Sequence, residues 1–234
     1  INPAFGGAAT GNYKPLAPQL DNKGTAVGIT TDILGDPRSA TTPDIGAYEF
    51  VVPPCVDPPS ASNNTTANPS SNICIETNVA LSLPGYIIGA GHTFQWQFAS
   101  AAAGPYTNLG TPLPFPDTVI LSTTTLYYRA EIRCNSGTAV YSTPVLVTVN
   151  PPFAAGTYTI NSALPPSATN FTSFNAAVAA LECGIDGHVF FDVAPNTYSE
   201  QVRMHRIRGA SDNARVTFRS ANGNPASVTL TYDA

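Results

Sequence analysis

Charge is what this sequence has least of. Of 234 residues, 10 are Lys or Arg and 15 are Asp or Glu, which gives a formal net charge of −5. Charged residues make up 11 % of the chain, against about 25 % in ordinary soluble domains, so Thr, Ser and Asn must wet the surface. With so few cations there is no basic face to neutralise phosphates, which argues against nucleic acid and anionic membrane surfaces as partners. No apolar run approaches the ~18–20 residues of a membrane-spanning helix, so direct membrane insertion is not expected. The opening residues lack a basic stretch followed by an apolar one, and no signal peptide is read there. The only methionine is Met204, and the expectation is an internal piece or processed form of something longer.

Cysteine is scarce too. Cys55, Cys74, Cys134 and Cys183 stand far apart without a CxxC pair, so zinc binding by ligand pairs has little support. At this density one or two bridges would decorate domains that already have cores, and Cys183 is read as buried and inert. What the chain does have is 22 Pro, 18 Gly, 11 Phe, 10 Tyr and 43 % apolar residues, enough to build cores and typical of extracellular β proteins. Asn63-Asn64-Thr65, Asn64-Thr65-Thr66 and Asn170-Phe171-Thr172 match the N-glycosylation acceptor pattern but read as polar loop residues. Gly6-Gly7 reads as a turn.

Composition shifts at Val51-Val52-Pro53-Pro54 and at Asn150-Pro151-Pro152. Proline pairs stiffen the chain and cannot donate ladder hydrogen bonds, so three segments are expected: 1–52, 53–151 and 152–234. In the middle one, alternating runs at 79–83, 93–98, 125–132 and 140–149 predict half-buried strands, and Asn135-Ser136-Gly137 supplies a positive-φ residue for a tight turn. About 100 residues, one Trp on a central strand and a Tyr early in the penultimate strand together resemble an immunoglobulin-like sandwich. That resemblance puts Trp96 on strand C and Tyr127 or Tyr128 at the corner entering strand F. A B–F core disulfide is excluded by Ala130 and Leu83. By strand direction Cys55 and Cys134 share one end of the sandwich, which favours Cys55–Cys134, with Cys74–Cys134 as the rival pairing.

The last segment changes rhythm. Phe174, Val178 and Leu181 at helical spacing, with Thr172 as N-cap and Gly184 beyond the end, predict a short amphipathic helix over 173–182. Strands are predicted at 188–193, 198–204, 215–219 and 227–231, and their uneven polar turns suggest solenoid rungs beneath a capping helix. Asn170-Phe-Thr-Ser-Phe-Asn-Ala-Ala-Val-Ala-Ala-Leu, with Gly184-Ile-Asp-Gly and Asn196-Thr-Tyr-Ser-Glu-Gln-Val, resembles the opening of right-handed parallel β-helices in large secreted surface proteins of the Bacteroidota type. Asp32-Ile-Leu-Gly-Asp-Pro-Arg38 followed by Pro43-Asp-Ile-Gly-Ala-Tyr-Glu-Phe50 is similar to the closing motif of pectate-lyase-like β-helices, which gives Asp44, Gly46 and Tyr48 structural roles beside Trp96 and Tyr128. The resemblance implies an all-β chain: an Ig-like β-sandwich flanked by the C-terminal end of one right-handed parallel β-helix and the capped N-terminal start of another. Many such proteins are multidomain, repetitive and exported by type IX secretion.

Candidate chemistry is thin. Asp32, Asp36 and Asp44 could gather Ca²⁺, a hard cation that takes carboxylate oxygens, although the spacing lacks the EF-hand or nonapeptide pattern and the plainer reading is turn formation with an Asp44–Arg38 ion pair. No other cofactor is implied. Asp192 and Glu200 could pair for glycoside hydrolysis, with Arg203, Arg206 or Arg208 lining a cleft, or could simply be solvated rung positions. His92, His188 and His205 form no metal motif, and no nucleophile elbow, phosphate loop or HExxH is present. Tyr86, Tyr106, Phe115 and Tyr141 are candidates to stack on sugars or dock a partner. The chain is therefore expected to be a non-enzymatic structural or adhesin-like segment of an extracellular, cell-surface protein. Its expected partners are neighbouring modules of the same or an identical chain, and surface glycans or proteins. One alternative is a piece of a polysaccharide lyase or glycoside hydrolase with its catalytic rungs elsewhere. The other is a head-to-tail filament in which the edge at Tyr232 accepts the Ile1 segment of the next copy.

Overall fold

The computed structural model describes residues 13–15 and 17–232; Ile1 and the Gly6-Gly7 turn lie outside the described residues. The described chain is all-β. In order it forms β1 (Thr66–Asn68), β2 (Ile73–Cys74), β3 (Asn78–Ser82), β4 (His92–Ala99), β5 (Thr107–Asn108), β6 (Thr118–Leu121), β7 (Leu126–Cys134), β8 (Val140–Tyr141), β9 (Val145–Val147) and β10 (Val149–Asn150). Then follow β11 (Gly156–Ile160), β12 (Asn170–Phe171), the helix α1 (Phe174–Ala180), β13 (Val189–Val193), β14 (Asn196–Ser199), β15 (Val216–Ser220) and β16 (Val228–Thr231).

The proline pairs suggest three segments, but the described residues divide into two compact units. Unit 1 takes the chain up to Ser70 together with Asn78–Ile120 and Thr125–Val147. Unit 2 takes Ser71–Thr77, Leu121–Thr124 and the chain from Thr148. The segment 13–52 therefore belongs with the β-sheets of unit 1, where Gln19 donates a hydrogen bond to the carbonyl of Pro114 at 3.3 Å. Its own small core is Ala17, Leu20, Phe50 and Val52. Residues 13–52 form no parallel ladder among the described residues, and their one pairing is an antiparallel bridge between Thr31 and Pro37.

Unit 1 is built on two sheets, β1-β3-β6 and β5-β4-β7-β8, with β9 also paired to β7. The long ladder is β4 against β7, antiparallel from His92 opposite Cys134 to Ala99 opposite Tyr127. Alternation explains β7: Tyr128, Ala130, Ile132 and Cys134 are buried while Arg129, Glu131 and Arg133 are half-buried on the other face. Phe94, Trp96, Leu81, Val79, Ile132 and Val147 fill the core, and the indole N–H of Trp96 is satisfied by the Pro116 carbonyl at 2.7 Å. Asn135, at φ 53°, turns the chain after β7. The run 140–149 is not one strand: Pro144 has no N–H to donate, and the chain forms β8, β9 and β10 separately. A disulfide joins Cys55 to Cys134.

Unit 2 is organised by parallel pairing. β12-β11-β13-β15 form one sheet and β14-β16 a second. In the first, Tyr158 lies opposite Phe191 and Phe191 opposite Phe218, so each strand adds one ring to an inward column with centroids 5.9 and 5.1 Å apart. Phe174, Ala177 and Leu181 of the α1 region pack on the same core. Ser173, not Thr172, is the N-cap, its hydroxyl accepting from Ala176 N. β14 ends at Ser199, short of the strand predicted to Met204, and residues 201–207 are irregular. β2, although it lies between β1 and β3 in sequence, pairs with β10, and Cys74 is joined to Cys183. The rival Cys74–Cys134 pairing is thereby excluded, and Cys183 is a bridge partner and not the inert thiol the sequence suggests. Ser122 ties the remaining piece of unit 2 in place: its N–H donates to Thr77 O at 2.9 Å and its hydroxyl to Cys74 O at 3.0 Å.

Phe191 is fully buried at the centre of the ring column. Phe191→Ala should cost unit 2 about 3–5 kcal/mol in urea unfolding, whereas Phe190→Ala, on the opposite face, should cost only about 1 kcal/mol.

Candidate functional site

Four sets of residues carry chemistry-bearing side chains, and the folded chain treats them differently. The first is the acidic loop of 13–52. Asp32 is 8 % exposed and Asp44 2 % exposed, too buried for carboxylates unless their charge is met. The Asp32 carboxylate accepts from the backbone N–H groups of Leu34 at 2.7 Å, Asp36 at 2.9 Å and Glu49 at 3.1 Å. That of Asp44 accepts from Asn22 N at 2.6 Å and from Phe50 N. Glu49 accepts from Ser39 N at 2.9 Å and Asp44 N at 3.1 Å.

These oxygens take the place of a strand ladder for the N–H groups of Asn22, Leu34, Asp36, Ser39, Asp44, Glu49 and Phe50. They are not gathered as Ca²⁺ ligands, and among the described residues no cluster of three metal-ligating side chains occurs. The expected Asp44–Arg38 ion pair is replaced as well. Arg38 Nε faces Glu49 at 3.3 Å, and its other nitrogens donate to the carbonyls of Gly46 and Asp44. Gly46 sits at φ 119°, a left-handed position that suits glycine; Tyr48 is half-buried. Burial pushes the Asp32 carboxyl up, but the N–H bonds from Glu49, Asp36 and Leu34 outweigh it and hold it below the ordinary range. The Ser39 N–H is the main influence holding Glu49 down.

The second set is Asp192 and Glu200, the carboxylates that the sequence offers as a possible pair for glycoside hydrolysis. Each has a separate partner in unit 2. Asp192 is bonded to Arg219 across the β13–β15 ladder. Glu200 receives the N–H groups of Phe174 and Asn175, both at 2.8 Å, and so closes the amino end of α1, whose first N–H groups have no partner within the helix. Arg208 pairs with Glu76 at 2.7 Å and donates to Ile75 O. Arg203, Arg206 and His205 are exposed in the irregular 201–207 stretch, and His188 stacks on Phe190. Asn170 is 6 % exposed and its amide donates to the carbonyls of Asn161, Leu164 and Pro165, which makes it a loop organiser with no nitrogen open to a glycan.

The third set lies on the outward face of β4, β7 and β8 in unit 1. The guanidinium carbon of Arg129 sits 3.8 Å from the Tyr106 ring centre and 4.0 Å from that of Tyr141. A planar cation between two rings is held by their quadrupoles, and Arg129 Nε also donates to Gln97 Oε1 at 3.0 Å. Gln97 in turn donates to Asn108 and Glu131, and Arg133 to Glu131 at 2.6 Å. The two tyrosines named from sequence thus share one cation. Arg129 itself was missed, although its place on the outward face of β7 follows from the alternation around it. Phe115 is half-buried in a loop.

The fourth set surrounds Tyr86, which is half-buried. Its ring lies 5.5 Å from both His92 and Phe94, and its hydroxyl donates to Ser60 O at 3.1 Å. Burial raises the Tyr86 pKa and lowers that of His92. No family model, no curated protein and no solved structure matches the chain.

Two substitutions test the assignment of carboxylates to backbone N–H groups. Glu200→Ala should destabilise unit 2 by about 1–3 kcal/mol, and hydrogen exchange should show Phe174 and Asn175 losing protection before the strands do. Glu49→Gln should do the same at Ser39 and Asp44 in unit 1 while the exchange of β4 and β7 stays unchanged.

Proposed function

We propose that this chain is a structural and adhesive segment of an extended extracellular surface protein, with no catalysis of its own. The observation that carries this reading is the parallel, in-register pairing of unit 2. β11, β13 and β15 repeat at one register, β14 and β16 at another, and α1 packs on their shared core. Such stacking suits the capped start of a right-handed parallel β-helix, a quasi-linear scaffold whose length grows by repetition. The strand orders β1-β3-β6 and β5-β4-β7-β8 around Trp96 suit an Ig-like sandwich. Two disulfides among so few cysteines favour an oxidising compartment.

The partner that fits this scaffold is another module of the same or an identical chain. β15 and β16 each stand at the edge of their sheet, where unpaired N–H and C=O groups favour a further strand. Adhesion would fall to the exposed polar and aromatic faces of unit 1.

Surface labelling of intact producing cells tests the reading. A membrane-impermeant amine reagent and external protease should both reach the chain, and its cysteines should resist alkylation until a reductant is added. Labelling only after lysis, with all four thiols free, would contradict it, as would cleavage of acidic polysaccharides by the purified chain.

A further inference from the structure

Unit 1 carries a groove that none of the contacts above fills. It runs between residues 54–64 and residues 84–92, with a volume of 610 Å³, within the ~300–1,000 Å³ of small-molecule sites. Two hydrogen bonds cross it and fix its width: Tyr86 to Ser60 O at 3.1 Å and the Asn64 amide to Pro84 O at 3.1 Å. Its rear is braced by the Cys55–Cys134 bridge and by backbone bonds from Cys55 N to Ala90 O and Ala90 N to Pro53 O. The groove is therefore formed before any ligand arrives, which lowers the ordering cost of binding.

Its lining has two chemistries. Pro58, Pro59, Pro84, Tyr86 and Ile87 offer apolar surface, and Ile87 is 77 % exposed. Ser60, Ser62, Asn63 and Asn64 offer short hydroxyl and amide groups. Among the described residues no Lys, Arg, Asp or Glu lines it, so a charged ligand would lose hydration without meeting a counter-charge.

His92 supplies a further fixed polar group. It is 9 % exposed, its ring is held by Tyr86 and Phe94, and it lines the groove. Its Nδ1 accepts the Gly89 N–H at 2.8 Å. A neutral imidazole that accepts at Nδ1 carries its proton at Nε2. That N–H is not one of the buried, unpaired side-chain atoms of the described residues, which are Arg38 Nε and Thr65 Oγ1, so it is open to solvent on the groove side.

We propose that this groove binds a neutral oligosaccharide of about two or three rings. The His92 Nε2–H donates to a sugar oxygen, the serine and asparagine side chains meet further hydroxyls, and the proline, tyrosine and isoleucine surfaces cover the C–H faces of the rings. Saccharides combine those apolar faces with uncharged hydroxyls, and the lining is complementary to both. The inference deepens the adhesive part of the function proposed above and rests on that reading for its biological sense.

Amide NMR titration of the full chain with both disulfides intact tests it. The probes are cellotriose, maltotriose, mannotriose and xylotriose, with trigalacturonate and an uncharged proline-rich decapeptide as competitors. At least one neutral trisaccharide should give saturable shifts confined to residues 54–64 and 84–92, with a Kd between about 0.1 and 5 mM. His92→Phe should weaken it by on the order of tenfold. Because His92 is buried, Ile87→Ser and Asn63→Ala at exposed positions are the controls that keep the fold, and each should weaken binding by about threefold or more. The proposal is overturned if no neutral sugar shifts the groove, if trigalacturonate or the peptide binds there as tightly, or if the exposed-site variants keep full affinity. Surface labelling with no sugar bound would remove this inference alone; sugar binding by a chain that is not at the surface would remove the functional reading alone.

Discussion

The bond between a carboxylate oxygen and a backbone N–H is the interaction on which the irregular parts of this protein depend. Among the described residues Asp21, Asp32, Asp44, Glu49, Asp57, Asp186 and Glu200 make it. Each meets main-chain donors that no strand or helix satisfies. Asp57 takes the Thr138 N–H across 81 residues, and Asp186 takes that of Ala155. A buried N–H left without an acceptor costs about 1–3 kcal/mol, and an ionised acceptor makes a stronger bond than a neutral one. A chain rich in Pro, Gly and irregular loops needs such acceptors, and its few acids are used there.

This use of acids shapes the surface. Other carboxylates are paired with Arg219, Arg133, Arg208 and Arg215. Unit 1 leaves aromatic, amide and hydroxyl groups outside, among them those that line the groove beside His92. In unit 2 the same economy appears in the ladders, where rings are stacked in register and one carboxylate, Glu200, meets the end of α1.

Much of the fold is legible in the sequence, and the reasons are local. Period-2 alternation marks β3, β4 and β7 to within a residue or two because apolar side chains alternate with polar ones along each, although Gln95 and Gln97 on the polar face of β4 are buried as well. The 3.6-residue spacing of Phe174, Val178 and Leu181 marks α1 in the same way. Pro144 is visible too, and its missing N–H explains the break that alternation alone overlooks. What is not legible depends on distance along the chain. Cys74 meets Cys183 across 109 residues because β2 pairs with β10, and a two-residue strand has no periodicity to read. Glu200 lies 26 residues from the N–H group it meets. Asp32 and Asp44 stand out in the sequence, but carboxylate-rich loops that bind ions and those that bind their own backbone look alike until the donors are placed. Arg129 joins Tyr106 and Tyr141 through neighbouring strands, a pairing that needs the register.

The pH dependence of these bonds follows from the direction of the shifts. The folded pKa values of Asp32 and Glu49 are lowered, so their contribution to stability is complete above the ordinary carboxylate range of about 4. It is lost as the pH falls through the lower folded values. The most direct test is an NMR pH titration that follows the amide protons of Leu34, Asp36, Ser39 and Glu49 together with the carboxyl carbons of Asp32 and Glu49. The account predicts that each amide moves in step with its carboxylate, with midpoints below the ordinary carboxylate range. Midpoints at ordinary carboxylate values, with amide protons indifferent to the titration, would contradict it.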